Sequence, residues 1–189
     1  MRFAAARRTE PLVSNLGHAM RILITGASGS GTSTLASALA SSLGYTFLDG
    51  DHYLWVKPEP PFEAKRSPED RRSLLLADLG RSAGAVLAGS IDGWDRELED
   101  SFDLIVFLYL ATEMRLARLR SRETQRFGAV DAEFLDWAAQ YDLGTREGRS
   151  LANQRAWLAA RSCPILSIEG DRTIEERLRI VLKHLPPTV

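Results

Sequence analysis

The chain has 189 residues, of which 44% are hydrophobic and 26% charged, with a formal net charge of −1. This composition is typical of a globular chain and excludes a disordered or fibrous one. The small net charge gives no basic field for nucleic acid. The longest apolar run, residues 104–111, is far shorter than the roughly 20 residues of a membrane span. The single cysteine, Cys163, excludes an internal disulfide and is typical of a reducing cytoplasm.

The first 19 residues differ from the rest of the chain. They carry three arginines against one acid and show neither a strand nor a helix period. Their apolar stretch is too short for a signal peptide. We interpret residues 1–19 as a disordered extension, or as sequence before a functional start at Met20, with a transit peptide as the minor alternative. Residues 20–189 are predicted to form one domain.

From Met20 onward, strand-like and helix-like segments alternate. The sequence predicts strands at residues 21–25, 45–48, 85–88, 103–110 and 164–168. It predicts helices at residues 33–43, 67–79, 112–123, 134–137, 150–160 and 173–184. Strands that alternate with helices and lack hairpin signals predict a three-layer α/β/α fold with a five-stranded parallel sheet. Ligands of such sheets bind at the carboxyl ends of the strands, so the residues after each strand are the candidates for a site.

A glycine-rich loop, GASGSGTST, follows the first strand at residues 26–34. It matches the Walker A pattern except that Thr32 stands where the pattern has lysine. Glycines let backbone amides approach phosphate oxygens, and the N-terminus of the following helix favours negative charge. Ser33 is placed to offer its hydroxyl to Mg²⁺. The predicted nucleotide-binding residues are Gly26, Ser28, Gly29, Ser30, Gly31, Thr32, Ser33 and Thr34.

Two other interpretations of this loop are open. One is a tight strand-to-helix turn without a ligand. The other is a dinucleotide-binding loop, because residues 25–29 resemble the opening of such reductases and Asp49 lies about 20 residues on, where a ribose-binding acid is expected. The glycine that either reductase spacing requires is threonine here, at Thr32 or Thr34. Tyr53 and Lys57 lie too early in the chain for a reductase catalytic pair.

With the loop, the second strand and a basic helix in view, the chain resembles the small P-loop kinases: nucleoside monophosphate, shikimate and gluconate kinases. Residues 26–51 look most like gluconate kinase. Residues 102–108 and the arginines that follow look like the strand and the lid-bearing helix of the whole group. The resemblance implies a P-loop fold with an arginine-bearing lid and an ATP-dependent phosphotransferase that uses Mg²⁺. It also implies a small-molecule acceptor, while the small net charge and the short apolar runs predict no nucleic-acid or membrane partner.

Two departures from the family pattern matter. Thr32 replaces the lysine, as in the similar Gly-Thr-Thr variant of archaeal-type cytidylate kinases. The substrate-binding stretch of gluconate kinase is not recognisable between His52 and Gly93, so the acceptor is open. A P-loop protein that binds nucleotide without transferring phosphate is therefore the first alternative, and a dinucleotide-binding oxidoreductase is the second.

Two acids, Asp49 and Asp51, follow the second strand. A carboxylate near the γ-phosphate can order Mg²⁺ through water, and another can deprotonate the acceptor hydroxyl. By resemblance to shikimate and gluconate kinases, Asp49 is the expected metal-side acid, together with Ser33, and Asp51 the acceptor-side acid. A polar turn with a helix-capping aspartate is the alternative.

The basic helix predicted at residues 112–123 places Arg115, Arg118 and Arg122 at helical spacing on one face. Guanidinium groups stabilise a transferring phosphoryl group, and the absent lysine increases the need for them. A solvated basic face is the alternative. The expected catalytic lid residues are Arg118, Arg122 and Arg126, with Arg146 and Arg149 as weaker candidates.

The acceptor is expected between the second and third strand ends. Asp92 follows the third strand, and Trp55 and Trp94 are candidates for the walls of a pocket, although most such aromatics pack in the core. A group of basic residues near the helix at 67–79 is a candidate for an anionic acceptor group or, equally, for a solvated helix face. These residues are Lys65, Arg66, Arg71 and Arg72.

Overall fold

A computed structural model of the chain describes residues 19–57, 64–145 and 148–185. The described residues form a five-stranded parallel sheet in the order β2-β3-β1-β4-β5. Its strands are β1 (Arg21–Gly26), β2 (Thr46–Asp49), β3 (Ala85–Ala88), β4 (Leu104–Tyr109) and β5 (Ile165–Glu169). The predicted fold class is thus confirmed. The predicted extension at residues 1–19 lies outside the described residues except for Ala19, and the domain division there stays a prediction.

Eight helices occur in the described part of the chain. They are α1 (Thr32–Leu43), α2 (Gly50–Leu54), α3 (Pro68–Arg81), α4 (Arg96–Glu99), α5 (Thr112–Phe127), α6 (Ala132–Ala139), α7 (Leu151–Ala159) and α8 (Ile174–His184). None of them is both long enough and apolar enough to cross a membrane.

The three central strands, β1, β3 and β4, are buried on both faces, which explains their nearly continuous apolar sequence, whereas the edge strands β2 and β5 are partly exposed. On one face, Leu23, Leu87 and Ile105 pack in a core with side chains of α2, α3, α4 and α7. On the other, Ile24 and Val106 pack with α1 and α8. Alternate residues of each strand therefore serve opposite layers, as the period of two requires.

Helix boundaries follow the capping signals in the sequence. The Ser67 side chain accepts a hydrogen bond from the backbone N–H of Asp70, and Pro68 occupies the first turn of α3. Thr173 and Glu176 form a capping box at the start of α8. Helix α2 was not among the predicted helices. The Asp49 side chain accepts from the N–H of Asp51 at its start, which is the helix-capping arrangement named above as the alternative for this pair of acids.

The strand order distinguishes the two loop interpretations that concern nucleotides. Strand β1 lies between β3 and β4 and pairs with both in parallel. In the dinucleotide-binding fold, by contrast, the first strand pairs with the second. The topology therefore argues against the oxidoreductase alternative. It also places the loop after β1 at the middle of the carboxyl edge, with the residues after β2 and β3 on one side of it.

Candidate phosphate-binding and catalytic site

The loop between β1 and α1 closely approaches its neighbours at the positions of its glycines. Gly29 and Gly31 have φ values of 84° and 95°, which side chains rarely allow. A Cβ atom at Gly29 would lie 2.8 Å from the carbonyl oxygen of Arg115, and one at Gly26 would meet the carbonyl oxygen of Leu108. The backbone is held by a turn in which the Ser30 N–H donates to the carbonyl of Ala27 at 3.1 Å. Only glycine fits these positions of the cradle.

Hydroxyl groups surround the N-terminus of α1. Thr32 is half-buried, and Ser33 and Thr34 are exposed in the first helical turn. No side chain caps this helix start. Helix N-termini attract anions through free N–H groups and the helix dipole, so this end of α1 fits a phosphate. The Ser30 hydroxyl is buried and has no hydrogen-bond partner among the described residues.

Three arginines from three different parts of the chain donate to alternate carbonyl groups of the loop. Arg149 Nη2 donates to the Gly26 oxygen at 2.8 Å. Arg115 Nη1 donates to the Ser28 oxygen at 3.4 Å. Arg177 Nη1 donates to the Ser30 oxygen at 2.7 Å. Arg149 was a weaker candidate in the sequence, and Arg177 was not a candidate at all. Arg146, the other weaker candidate, lies outside the described residues.

Arg115 is fully buried, and its side chain contacts the loop, the residue after β4 and the helices that follow. Its guanidinium donates to the Leu110 oxygen at 3.0 Å and to the Ala138 oxygen at 3.2 Å, and it lies over the ring of Tyr141. Burial lowers its pKa, and the nearby Asp142 carboxylate partly opposes this change. Although Arg115 shares the sequence spacing of Arg118, it points into the protein and serves the architecture of the loop.

We expect Arg115→Met to lower the free energy of unfolding by about 3 kcal/mol, because it leaves buried carbonyl groups and the Asp142 carboxylate without their cation. Urea unfolding followed by circular dichroism measures this change. Arg120→Met, an exposed position on the same helix, is the matched control and is expected to change the value by less than about 0.5 kcal/mol. Equal unfolding midpoints for the two variants contradict the role of Arg115.

The three arginines predicted as lid residues occupy different environments. Arg118 Nη1 lies 3.8 Å from where a Cβ of Gly31 would stand, and its guanidinium pairs with Asp171 after β5. Arg122 pairs with its neighbour Glu123, and Arg126 lies over the ring of Phe127. Both are exposed and lie about 6 and 12 Å further along α5 than Arg118. The structure thus brings Arg118 to the loop, while the contacts of the other two are with their own helix.

The two acids at the carboxyl end of β2, Asp49 and Asp51, lie close together, and Asp51 is hydrogen-bonded to an aromatic side chain. Trp55 donates a side-chain hydrogen bond to the carboxylate of Asp51. The Asp51 side chain reaches solvent, yet the protein around it raises its pKa above the ordinary value. Burial is the largest cause and the charge of Asp49 the second, whereas Arg149, Trp55 and His52 act in the opposite direction. Asp51 is therefore poised to accept a proton, with Arg149 near enough to influence it.

The segment after β3 is fixed by a buried network. Trp94 is only 8% exposed, packs in the core, and lies under the guanidinium of Arg71. The buried Glu99 carboxylate accepts from the Trp94 N–H at 3.1 Å and from the Trp157 indole at 2.7 Å, and pairs with Arg161 at 2.9 Å. Trp94 is thus largely a core residue. The cation that covers its ring, Arg71, is half-buried and reaches the surface between α3 and the segment after β3.

Asp92 lies on the same side as the loop. Its carboxylate accepts a hydrogen bond from Ser90. Its charge raises the pKa of Tyr141, although burial of Tyr141 is the larger cause. Tyr141, Trp137 and Arg149 line a cleft against Ala27 and Ser28 of the loop. The cleft brings together groups from α6, from the segment between α6 and α7, and from the loop, which the sequence could not relate.

The comparisons with known proteins agree with this architecture. A family model described as "AAA domain" matches residues 22–136, more than half of the chain. The uncharacterized protein YqaC of Bacillus subtilis (strain 168) is 42% identical over 174 residues, covering 87% of this chain and 96% of that protein. A shikimate kinase of Chlorobium phaeobacteroides (strain BS1) is 33% identical over 121 residues, covering 58% of this chain and 59% of that kinase. The match to the kinase thus spans less than two thirds of its length.

Solved structures of small kinases share the fold. Shikimate kinase from Acinetobacter baumannii in complex with shikimate superposes with a TM-score of 0.56 at 20% identity, covering 88% of this chain and 94% of that one. Deoxyadenosine kinase from M. mycoides with bound dATP gives 0.59 at 15% identity, covering 87% and 98%. At these identities the likeness is one of fold. The matched family model, which covers more than half of the chain, shows that the chain belongs to the AAA domain family, and these structures show that it shares the fold of small P-loop kinases.

Proposed function

We propose that this protein is an ATP-dependent phosphotransferase that moves the γ-phosphate of ATP to a small-molecule acceptor, with Mg²⁺. One observation carries the proposal: Arg149 contacts the phosphate loop and lies near enough to Asp51 for its charge to act on that carboxylate. Its guanidinium donates to the Gly26 oxygen, and its charge partly offsets the rise in the pKa of Asp51 that burial and Asp49 cause. A cation between a phosphate cradle and a carboxylate is the arrangement that phosphoryl transfer needs.

The donor side of the site fits Mg²⁺·ATP. The glycine cradle, the free N-terminus of α1 and the nearby Arg118 provide positive partners for phosphate oxygens. Ser33 and Asp49 are the residues that would hold Mg²⁺, Ser33 through its exposed hydroxyl. The bound ion neutralises charge on the β and γ phosphates. Arg122 and Arg126 follow Arg118 on α5. If α5 moves as a lid, the movement would bring these two arginines closer to the phosphates.

On the acceptor side, Asp51 is the proposed general base. It takes the proton of an acceptor hydroxyl, and the oxygen of that hydroxyl bonds to the γ-phosphorus while the bond to the β–γ bridging oxygen breaks and ADP leaves. Arg149 offsets the charge of the transferring group next to the loop. Because the pKa of Asp51 is raised, the carboxylate is a stronger base than an ordinary aspartate, and Trp55 holds its orientation.

We further propose that the acceptor carries an anionic group. Arg71 lies 4.8 Å above the Trp94 ring and Lys65 lies 5.5 Å above the Trp55 ring, so both cations stand on the walls predicted for the acceptor. The Nε atoms of Arg66 and Arg71 are buried without a hydrogen-bond partner among the described residues. A carboxylate or a phosphate of the acceptor suits these donors. The structural neighbour in complex with shikimate supports a hydroxy acid as one class to test.

The alternative function is nucleotide binding without transfer. Thr32 favours it, because the lysine of the Walker A pattern supports the charge that develops on the β and γ phosphates. In this alternative the loop and Arg118 bind ATP, and Asp51 serves only as part of the polar start of α2.

A thermal-shift assay followed by a transfer screen tests the proposal. We expect Mg²⁺·ATP to raise the melting temperature more than ATP with EDTA, and NAD(H) to have no effect. Transfer of ³²P from the γ position is then measured with nucleoside monophosphates, sugar acids and hydroxy acids. Stabilisation by NAD(H) alone contradicts the kinase proposal. Binding of Mg²⁺·ATP without transfer to any acceptor favours the alternative.

A further inference from the structure

The contact between Arg177 and the loop has a geometric consequence for one loop amide. A peptide unit is planar and trans, so its carbonyl oxygen and its N–H group point in opposite directions. Arg177 holds the oxygen of the Ser30–Gly31 peptide at 2.7 Å. The Gly31 N–H therefore points away from Arg177. A cation bound to the oxygen also polarises the peptide, which makes the opposite N–H a stronger donor.

Arg177 is an unusual residue for the interior of α8. It is 2% exposed, and its guanidinium also donates to the Gly170 oxygen at 3.4 Å. Burial lowers its pKa, and the charge of Arg118 lowers it further, while Asp171 opposes this change. Asp171 is already paired with Arg118. The guanidinium groups of Arg118 and Arg177 thus share one end of the loop with the Asp171 carboxylate, and Arg172 adds further positive charge, so negative charge from a ligand would relieve the repulsion.

The position of Arg177 relates it to the missing lysine. Its Nη1 atom lies 2.9 Å from where a Cβ of Gly31 would stand, one residue before Thr32. The positive charge that a Walker A loop places on the side chain at position 32 is here brought by α8 to the adjacent peptide. Its burial and its two carbonyl partners fix it in place.

We propose that Arg177 is a positioning residue that compensates for Thr32: it orients and polarises the Ser30–Gly31 peptide toward the phosphates and supplies positive charge beside them. This inference rests on the proposed binding of Mg²⁺·ATP and adds a residue to that site. This role differs from a purely structural role of Arg177 in one respect. A lysine at position 32 is expected to repair the loss of Arg177 if Arg177 supplies charge, but not if Arg177 only holds the fold together.

The test compares four proteins: wild type, Arg177→Met, Thr32→Lys and the double variant. Dissociation constants for Mg²⁺·ATP are measured by isothermal titration calorimetry, and unliganded melting temperatures report the fold. We expect Arg177→Met to weaken binding by about 10- to 100-fold, the usual effect of losing a charge-assisted hydrogen bond. Thr32→Lys measures the effect of the added lysine while Arg177 is present, and we expect this effect to be smaller than the effect of the same lysine in the Arg177→Met background. In the double variant the lysine restores most of the lost affinity.

Controls separate the outcomes. Arg179→Met removes an exposed arginine from the same helix and is expected to bind ATP as wild type does. If Arg177→Met does not fold, Arg177→Gln, which keeps a donor for the Ser30 oxygen and loses the charge, takes its place. Unchanged affinity in the Arg177 variant, or a loss that lysine at position 32 does not repair, overturns this inference while leaving the proposed function intact. A wild-type protein that fails to bind Mg²⁺·ATP refutes the proposed function itself.

Discussion

Replacing Asp51 with asparagine is expected to lower kcat by about 10²- to 10⁴-fold, the usual contribution of a general base. The dissociation constant for Mg²⁺·ATP should change little, because the loop and Arg118 remain. Asparagine preserves the size of the side chain and can still accept a hydrogen bond from Trp55, so the loss isolates the proton-accepting step. Steady-state transfer to the acceptor found in the screen, with calorimetric ATP binding, measures both quantities.

The pH profile of kcat/KM distinguishes a general base at Asp51 from a purely structural role of this residue. The base acts in its deprotonated form, so kcat/KM should fall as pH decreases through the raised pKa of Asp51. Because the charge of Asp49 contributes to that raised pKa, Asp49→Asn should move the acidic limb to lower pH. Asp136→Asn, at an exposed position on α6, is the matched control and should leave the profile unchanged. A full-activity Asp51→Asn variant refutes the assignment.

Replacing Arg149 with methionine is expected to lower kcat by about 10²- to 10³-fold, because the developing charge on the transferring group loses one of the cations beside the loop. The same change removes the largest of the three contributions that lower the pKa of Asp51. The acidic limb of kcat/KM should therefore move to higher pH, in the direction opposite to that of Asp49→Asn. Both effects are measured by steady-state kinetics across a pH series.

Arg149→Lys keeps the charge while losing the second arm of the guanidinium, so it should recover part of kcat and most of the position of the acidic limb. Arg120→Met controls for the loss of an exposed arginine. If activity drops while the acidic limb of the pH profile stays in place, Arg149 acts only by holding the Gly26 carbonyl. That result would remove the link between Arg149 and Asp51 on which the proposed function rests.

The fold was predictable because its signals are local. Buried runs such as residues 85–88 give both the type and the bounds of a strand, and Ser67-Pro68 marks a helix start in any context. The two shortest helices were missed for a physical reason. Four or five residues do not show a helical period, and Asp49-Gly50-Asp51 is equally good as a turn until the Asp49 side chain is seen to cap α2.

The site was less predictable, because side chains of the same type occupy different environments and have different roles. Arg115 and Arg118 share a helix and a charge, yet Arg115 is buried among carbonyl groups while Arg118 reaches the loop. A signal was available in the spacing. Arg115 stands four residues before Leu119 and Arg177 four before Val181, so each occupies the buried stripe of its helix. A cation on an apolar stripe needs a buried partner, and here the partner is a loop carbonyl.

The three loop–arginine contacts also bear on the order in which the protein acquires its binding ability. Gly26 and Arg149 are separated by 123 residues, Ser28 and Arg115 by 87, and Ser30 and Arg177 by 147. Contacts over such separations close long segments of chain, which makes them slow to form. We therefore expect the loop to reach its organised form only once α8 has docked. The nucleotide affinity proposed above would then depend on the completed fold, and a chain without a docked α8 would carry the motif with weaker phosphate binding.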